Sequence, residues 1–429
     1  MGELIQVDQS LLSVAGVFLE KIVHICYMTR STLQHQNGGM ERHGDILVRG
    51  LARKGHRIST ITTPLSKPLH ETGPESRSRK IFVGSKSSKY SAQWWKQSHA
   101  ALRELNRADP IDIVWSQSVA GFGSYLFQKD RIIHVPHVAI MHGTFPQEFT
   151  SNFQNASSLQ GFKHLIHFLV DSYPRHINFI RNKAFRKIDH YIAINESIAA
   201  ALNKDFHVDQ EKLSIIHNGI DSYIFRTNLS KEKLTNLRIR LGIEPESIVL
   251  VSVGRVHYQK GLHLMIEAME SFRGLNITYL VIGSGPQLPG LQKLVRDREL
   301  QSQIIFTGDI ENSELNKYLP LSDIFVFPSL HAEGQPLAML EAMAAGLPVV
   351  ASHIPGVSEI LNKCDAGLVF PKRQTHDMVM KIRQLCEDDS RRTRMGENGR
   401  AYIRQFCSSD VMVDQVEEVF RDLVTKWRK

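Results

Sequence analysis

The chain repeats a pattern of short apolar runs, each bounded by polar, glycine or proline residues and followed by a longer stretch of helical periodicity. An apolar run of about four to eight residues between turn-forming residues is typical of a buried strand. Because such strands alternate with helices, the pattern predicts parallel sheets covered by helices. The strands predicted in the first half are Lys21–Tyr27, His56–Thr63, Lys80–Gly84, Ile111–Gln117, His134–His142, Asp189–Asn195 and Lys212–His217.

The same alternation resumes after a polar stretch near residues 221–232, where we place a hinge. A chain of 429 residues is long enough for two domains with separate cores. We therefore predict an α/β protein with one doubly wound sheet in residues 1–225, a second in residues 226–408, and a C-terminal helix in residues 409–429. The strands predicted in the second half are Ser247–Gly254, Ile277–Gly283, Gln303–Thr307, Ile324–Phe327, Val349–Ser352 and Gly367–Phe370.

Helical periodicity is longest in residues 144–187, where the apolar side chains fall on one face. We expect that face to lie in the core rather than against lipid. Its residues are Phe162, Leu165, Ile166, Leu169 and Val170. The other predicted helices include one that ends near Lys54, followed by Ser91–Asn106, Ile198–Lys204, Lys231–Leu241 and Asp410–Trp427.

The formal charge of +8 is concentrated in the first half. Residues 1–225 hold 26 Lys and Arg against 19 Asp and Glu, whereas the remainder holds 26 against 25. A basic half suits an anionic partner, and we expect a membrane surface rather than nucleic acid, with a surface kept basic for solubility as the alternative.

Several features indicate a cytoplasmic protein. The four cysteines show no paired spacing, which favours a reducing compartment and no structural zinc. The longest apolar runs fall short of the ~20 residues that a membrane span needs. Residues 10–19 are apolar but follow no basic segment, so we predict no signal peptide there.

The most informative segment is Asp323–Val350, which predicts a strand, a loop and a helix in succession. Pro336 suits the first turn of a helix, where its missing N–H is not needed. The N–H groups of Leu337 and Ala338 then point out of the helix start and favour an anion. Glu333 in the loop and Glu341 in the second turn can reach the same cleft, although each could be an ordinary solvated glutamate.

Further candidates follow other predicted strands. Arg255 and Lys260 come after Ser247–Gly254, and two cations at a strand's carboxyl end suit a diphosphate. His142 ends a strand at the edge where α/β sheets keep their ligands. Gly38 and Gly39, between a strand and a helix, let the backbone approach a ligand, but such glycines also serve packing.

These motifs together resemble the retaining GT-B glycosyltransferases of family 4, also described as glycosyl transferases group 1. The resemblance rests on Glu333, Gly334 and Glu341 with the following LEAMAAGLPVVAS, on Arg255 with Lys260-Gly261, and on Asn218-Gly219. It covers about residues 21–425. It implies two Rossmann-like domains facing a cleft, with the C-terminal helix crossing back onto the first domain.

The resemblance also implies roles for individual residues. Glu333 would contact the donor sugar, Glu341 the ribose and Ile310 the base, while Arg255, Lys260 and the helix amides would hold the diphosphate. His142 would lie near the reacting carbon. The donor would be a UDP-sugar or, next, a GDP-sugar, and the acceptor a glycan or lipid-linked molecule of cell-surface synthesis.

Two further implications concern the chemistry of the predicted site. We expect no metal and no cofactor, because no cluster of carboxylates or histidines has metal-ligand spacing. Gln335-Pro336 departs from the aromatic-Gly pair of many relatives, and the departure leaves the sugar specificity open.

Two other classes of function fit less well. A nicotinamide-dependent oxidoreductase would have three glycines in its first turn and an acidic residue after its second strand, whereas this strand ends Thr62-Thr63-Pro64. A non-catalytic protein could keep the same fold. It would not need both glutamates and both cations.

Overall fold

The first sheet has seven parallel strands in the order β3-β2-β1-β4-β5-β6-β7. The computed structural model describes residues 22–36, 38–66, 78–125, 133–154, 156, 159–181, 183–225 and 230–429. The strands are β1 (His24–Met28), β2 (Arg57–Thr62), β3 (Ser78–Phe82), β4 (Ile113–Gln117), β5 (His137–Met141), β6 (His190–Ala193) and β7 (Leu213–Ile215). The helices that accompany them are α1 (Gly39–Arg53), α2 (Ala92–Ala108), α3 (Phe145–Gln154), α4 (Leu159–Arg181) and α5 (Glu196–Phe206).

The second sheet has six parallel strands in the order β10-β9-β8-β11-β12-β13. They are β8 (Ile248–Val253), β9 (Ile277–Ile282), β10 (Ile304–Gly308), β11 (Ile324–Phe327), β12 (Val349–Ser352) and β13 (Gly367–Phe370). The remaining helices are α6 (Lys231–Leu241), α7 (Leu262–Ala268), α8 (Leu288–Asp297), α9 (Leu315–Tyr318), α10 (Leu337–Ala345), α11 (Pro355–Cys364), α12 (Thr375–Cys386), α13 (Asp389–Phe406) and α14 (Ser409–Trp427).

The strand order places the ligand-binding edge of each sheet. In the first sheet β1 lies between β2 and β4, and in the second β8 lies between β9 and β11, so the order reverses there. Ligands of open α/β sheets bind beyond the carboxyl ends of the strands at such a reversal. The loops after β1, β8 and β11 therefore define the cleft, and these loops carry most of the predicted site residues. The predicted fold class is confirmed.

The C-terminal helix α14 packs into the core of the first sheet. Val413, Val416, Phe420 and Val424 are buried there among residues of β1, β4 and α1. Gly50 on α1 allows the approach, because a Cβ built there would lie 2.3 Å from Val413 Cγ2. The predicted crossing of this helix back onto the first half is confirmed.

One prediction about α4 is wrong. Leu165 is buried, but Phe162, Ile166 and Val170 are 50%, 46% and 74% exposed. The periodicity identified one apolar face correctly, and no described segment covers most of that face. The predicted hinge near 221–232 lies partly, and the segment 10–19 wholly, outside the described residues.

Candidate active site

The loop after β8 carries both predicted phosphate ligands. Arg255 is exposed at the cleft edge. Lys260 is 30% exposed, and its Nζ lies 2.6 Å from Glu333 Oε1 in the loop after β11. The loop after β9 approaches closely too, since Gly283 (φ +128°) would place a Cβ 2.1 Å from the carbonyl oxygen of Gly254. A side chain at Gly283 would therefore push the cation-bearing loop away.

Glu333 is held as a carboxylate. Its Oε1 also accepts a hydrogen bond of 3.2 Å from Ser329 Oγ. Burial acts to raise the pKa of Glu333, but the charge of Lys260, with smaller contributions from His331 and Ser329, outweighs it and the pKa is lowered. Glu333 is thus an ionised acceptor that suits sugar hydroxyls.

The helix that follows starts one residue later than expected. Pro336 is the N-cap of α10 (φ −66°, ψ 122°), and Leu337 is the first helical residue. No side chain caps the helix. The first backbone N–H groups, those of Leu337 and Ala338, therefore remain as donors for an anion at the positive end of the helix dipole.

Glu341 pairs with a residue that the sequence analysis did not identify. The Arg42 guanidinium, on α1 of the first half, forms an ion pair with Glu341 Oε1. Glu341 is 1% exposed, and its Oε2 has no hydrogen-bond partner within the described ranges. Burial raises the pKa of Glu341, and the charge of Arg42 only partly opposes the rise. One carboxylate oxygen thus joins the two halves while the other is unsatisfied.

His142 follows β5 of the first sheet, on the side of the cleft that faces the loops of the second half. The amide Nε2 of Gln117 donates to His142 Nε2 over 2.8 Å, and the Tyr27 hydroxyl donates to Gln117 Oε1 over 3.3 Å. This arrangement leaves the ring proton of His142 on Nδ1. Burial lowers the pKa of His142 to about 4, and the His43 ring packs edge-on at 4.6 Å. His142 is therefore a neutral imidazole at pH 7.

The two walls meet at Gly334. Asn195 Nδ2 donates to the Gly334 carbonyl over 2.6 Å. A Cβ at Gly334 would lie 2.8 Å from the His142 carbonyl oxygen and 2.7 Å from Ile194 Cδ1. Glycine is required here because the two halves make backbone contact beside the predicted reacting centre.

Gln335 forms a second junction. Its carbonyl oxygen accepts from Asn218 Nδ2 over 2.8 Å, and its side-chain oxygen accepts from the Asn218 N–H over 2.5 Å. Gln335 is buried at this junction. Its side chain therefore fixes the position of the loop against the first half. Asn218, part of the motif that carries the resemblance, is thus a contact between the two halves.

The remaining predicted residues flank the cleft. Gly38 is the extended N-cap of α1, and a Cβ there would meet the Glu41 carboxylate at 2.3 Å. Gly39 has no atom within 4 Å of a built Cβ, so space remains at that turn. Ile310, after β10, is half-buried against the core of the second sheet.

Two cavities lie between the halves. One, of about 920 Å³, is lined by His142, Glu333, Gly334 and Lys372 among others. The other, of about 1140 Å³, is lined by Arg42, Glu341 and Asn312 among others. Lys372 was not predicted, and burial is the main cause of its lowered pKa. The predicted sugar contacts His142 and Glu333 thus line the first cavity, and the predicted ribose contact Glu341 lines the second.

The described ranges also bear on metal binding and on membrane insertion. They contain no group of three or more His, Cys, Asp or Glu side chains arranged to hold a metal ion. Across those same residues, every helix is too short or too polar to cross a membrane.

Comparisons with known proteins agree with this geometry. Residues 235–402 match the family model described as glycosyl transferases group 1, and residues 37–222 match the one described as Glycosyltransferase Family 4. An uncharacterised glycosyltransferase of Methanocaldococcus jannaschii is 33% identical over 232 residues, which are 54% of this chain and 59% of that protein.

Two more proteins resemble the whole chain. Sulfoquinovosyl transferase SQD2 of Arabidopsis thaliana is 26% identical over 395 residues, covering 89% of this chain and 70% of that protein. The crystal structure of Anabaena Alr3699/HepE in complex with UDP and glucose superposes with a TM-score of 0.71 at 17% identity, covering 94% of this chain and all of that chain. With the two family models matched in order over residues 37–222 and 235–402, this chain belongs to the group 1 glycosyl transferases.

Proposed function

We propose that the protein is a retaining glycosyltransferase that moves a hexosyl group from a nucleotide-diphosphate sugar to an acceptor hydroxyl. The observation that carries the proposal is that Glu333, paired to Lys260 at 2.6 Å, lines the same cavity as the neutral His142. A donor laid along the cleft would meet a sugar-binding carboxylate, then cations and helix amides, then Glu341.

Each group has a defined task in this proposal. Arg255, Lys260 and the amides of Leu337 and Ala338 stabilise the charge that develops on the departing diphosphate. Glu333 accepts from sugar hydroxyls and orients the ring. The carbonyl of His142 lies beside Gly334. The imidazole ring of His142 is neutral, so it can stabilise positive charge that develops at the reacting carbon without carrying a positive charge itself.

The nucleoside end is proposed to use Glu341 and Ile310. Glu341 Oε1 is engaged by Arg42, so Oε2, which lacks a hydrogen-bond partner among the described residues, is the atom left for a ribose hydroxyl. UDP-sugars are the favoured donors and GDP-sugars the next, in keeping with the UDP named in the HepE complex. No metal or other cofactor is part of the proposal.

A thermal-shift screen of nucleotide sugars tests the donor. A ligand that binds only the native state increases the free energy of unfolding, by about 2.7 kcal/mol at a hundredfold excess over Kd, and so raises the melting temperature. The cognate donor should give a shift that is lost in Arg255→Met. If UDP-, GDP- and ADP-sugars all leave the melting temperature unchanged, the proposal fails.

Peripheral membrane binding at the cytoplasmic face is proposed for the acceptor side, in line with a lipid-linked acceptor for glycoconjugate synthesis. The exposed face of α4 and the basic first half support it, since anionic lipid attracts each nearby basic residue by ~1 kcal/mol. Ile166→Ser with Val170→Ser should reduce sedimentation with anionic vesicles, whereas Ile239→Ser, at a residue of α6 that is 66% exposed, should not. Equal binding of the two variants would refute this part.

A further inference from the structure

Two guanidinium groups converge on the ring of Tyr90 at the carboxyl edge of the first sheet. Arg30 follows β1, and its Cζ lies 5.8 Å from the ring centroid of Tyr90. Arg175, on α4, places its Cζ 5.3 Å from the same centroid. All three side chains are half-buried and come from separate segments. Tertiary folding therefore gathers two cations at one point that a ligand can still reach.

The cluster is held in place by packing. The Tyr90 ring stacks on Trp95 with centroids 4.7 Å apart, and Arg175 Nη2 donates to Ser172 Oγ over 3.1 Å. The Arg30 Nε atom is buried and has no hydrogen-bond partner within the part of the chain described. A buried donor without an acceptor is unfavourable. An anion bound beside Arg30 would supply the missing acceptor.

The cluster adjoins the catalytic cleft. Gly143 and Glu148 line the large cavity that contains His142 and Glu333. The same two residues line a smaller cavity of about 90 Å³ that also contains Arg175. The Glu148 carboxylate lies beside Gly143 and interacts with the charges of Arg175 and Arg30, so this group of two guanidiniums and one carboxylate keeps a net positive charge. A molecule that reached from one cavity to the other would place a neutral part at His142 and an anionic part at the arginines.

We propose that Arg30 and Arg175 bind a phosphate or carboxylate group of the acceptor, and so place its hydroxyl beside His142. The inference rests on the proposed function and adds the chemical class of the acceptor. Guanidinium forks match the oxygen geometry of both anions and form stronger hydrogen bonds to them than to neutral groups. The subsite changes no covalent bond, and its task is to orient the acceptor.

Titration calorimetry with three matched probes tests the subsite. Glycerol, glycerate and glycerol 3-phosphate share a three-carbon skeleton and differ in the anionic group. The two anions should bind and glycerol should not. Arg30→Met and Arg175→Met should each weaken the binding of the preferred anion about tenfold or more, the loss expected for one charge-assisted contact. Arg107→Met, at an exposed arginine of α2, should have no effect.

Vesicles of phosphatidic acid distinguish a lipid acceptor from a soluble one, because this lipid carries the same glycerol phosphate. Arginine-dependent binding to vesicles alone identifies a lipid acceptor, and arginine-dependent binding of the soluble probes alone identifies a soluble one. If no anionic probe depends on Arg30 and Arg175, the inference is overturned. It is also overturned if Arg255→Met abolishes binding and the two variants do not, since the probes then occupy the donor phosphate site. Nucleotide-sugar binding, measured in the same variants, reports on the proposed function separately and should be unchanged.

Discussion

The ion pair between Arg42 and Glu341 gives the sharpest prediction, because it joins the two halves and one partner is buried. Glu341 is 1% exposed and Arg42 19% exposed. Arg42→Met keeps the aliphatic stem and removes the charge. Leaving a buried charge without its partner typically costs about 3–5 kcal/mol. The loss should appear as weaker closure of the cleft and lower stability.

The structure also sets an upper limit on this loss. Without Arg42, burial raises the pKa of Glu341 further, and the carboxyl group can take up a proton instead of remaining charged. Protonating a carboxyl group of ordinary pKa ~4.3 at pH 7 costs roughly 3.7 kcal/mol, at 1.36 kcal/mol per pH unit. Because the pKa of Glu341 is already raised while Arg42 is present, we expect the variant to lose less than about 3.7 kcal/mol at pH 7.

Because protonation of Glu341 limits the loss of stability in Arg42→Met, that loss depends on pH. In Arg42→Met the pKa of Glu341 is higher in the folded state than in the unfolded state, so the folded state binds more protons. The deficit should then shrink as the pH falls from 7 toward ~4.3, by up to 1.36 kcal/mol per unit. Glu341→Gln in the same chain removes the charge and should abolish this dependence.

Urea unfolding at pH 7 and pH 5 measures both effects, and small-angle scattering reports whether the halves separate. Arg49→Met is the matched control on the same helix. Arg49 is 66% exposed and pairs with Asp45, and exposed pairs contribute about 0.2–1 kcal/mol. The reasoning is refuted if the Arg42 and Arg49 variants lose the same stability, or if the loss in Arg42→Met is the same at both pH values.

Three further predictions concern the proposed reaction. Arg255→Ala or Lys260→Ala should weaken nucleotide-diphosphate binding about tenfold or more, because a charge-assisted hydrogen bond contributes roughly 1.5–3 kcal/mol; unchanged calorimetry in both variants would show that neither binds the phosphates. Transfer should survive EDTA and keep the anomeric configuration of the donor, and proton NMR of the first-formed product decides this, since an inverted anomer excludes a retaining reaction. Activity should persist below pH 6 and fall as the pH approaches 4, because His142 has a pKa of about 4 and is needed neutral; a fall already centred near pH 6.5 that His142→Gln removes would show that its pKa is not lowered.

The strands could be predicted because parallel strands that are buried on both faces consist of continuous apolar residues. Ile324–Phe327, Val349–Ser352 and Gly367–Phe370 agree with the structure residue for residue. The neighbours of Glu333 could also be predicted, because the loops at the carboxyl ends of parallel strands meet at one edge of the sheet. Periodicity was insufficient for α4, because it shows which face of a helix is apolar and does not show what covers it.

Partners that are distant in sequence could not be found in this way. Arg42 and Glu341 are 299 residues apart, and no local pattern marks either as the partner of the other. Arg30 and Arg175 are likewise ordinary basic residues until the fold places both on Tyr90. Gln335 differed from the expected pattern, but its contact with Asn218 depends on how the two halves close.

The position of α14 has a consequence for how the chain folds during synthesis. The first sheet is translated first, yet its core includes Val416, Phe420 and Val424 from α14, which follows the second sheet in the chain. Until those residues leave the ribosome, the early half exposes the apolar surface that α14 later covers. The second half, whose strands span residues 248–370, includes no residue of α14 in its core and can complete that core sooner. A ribosome-bound chain should therefore become protease-resistant in its later half before its earlier half, the reverse of the order of translation.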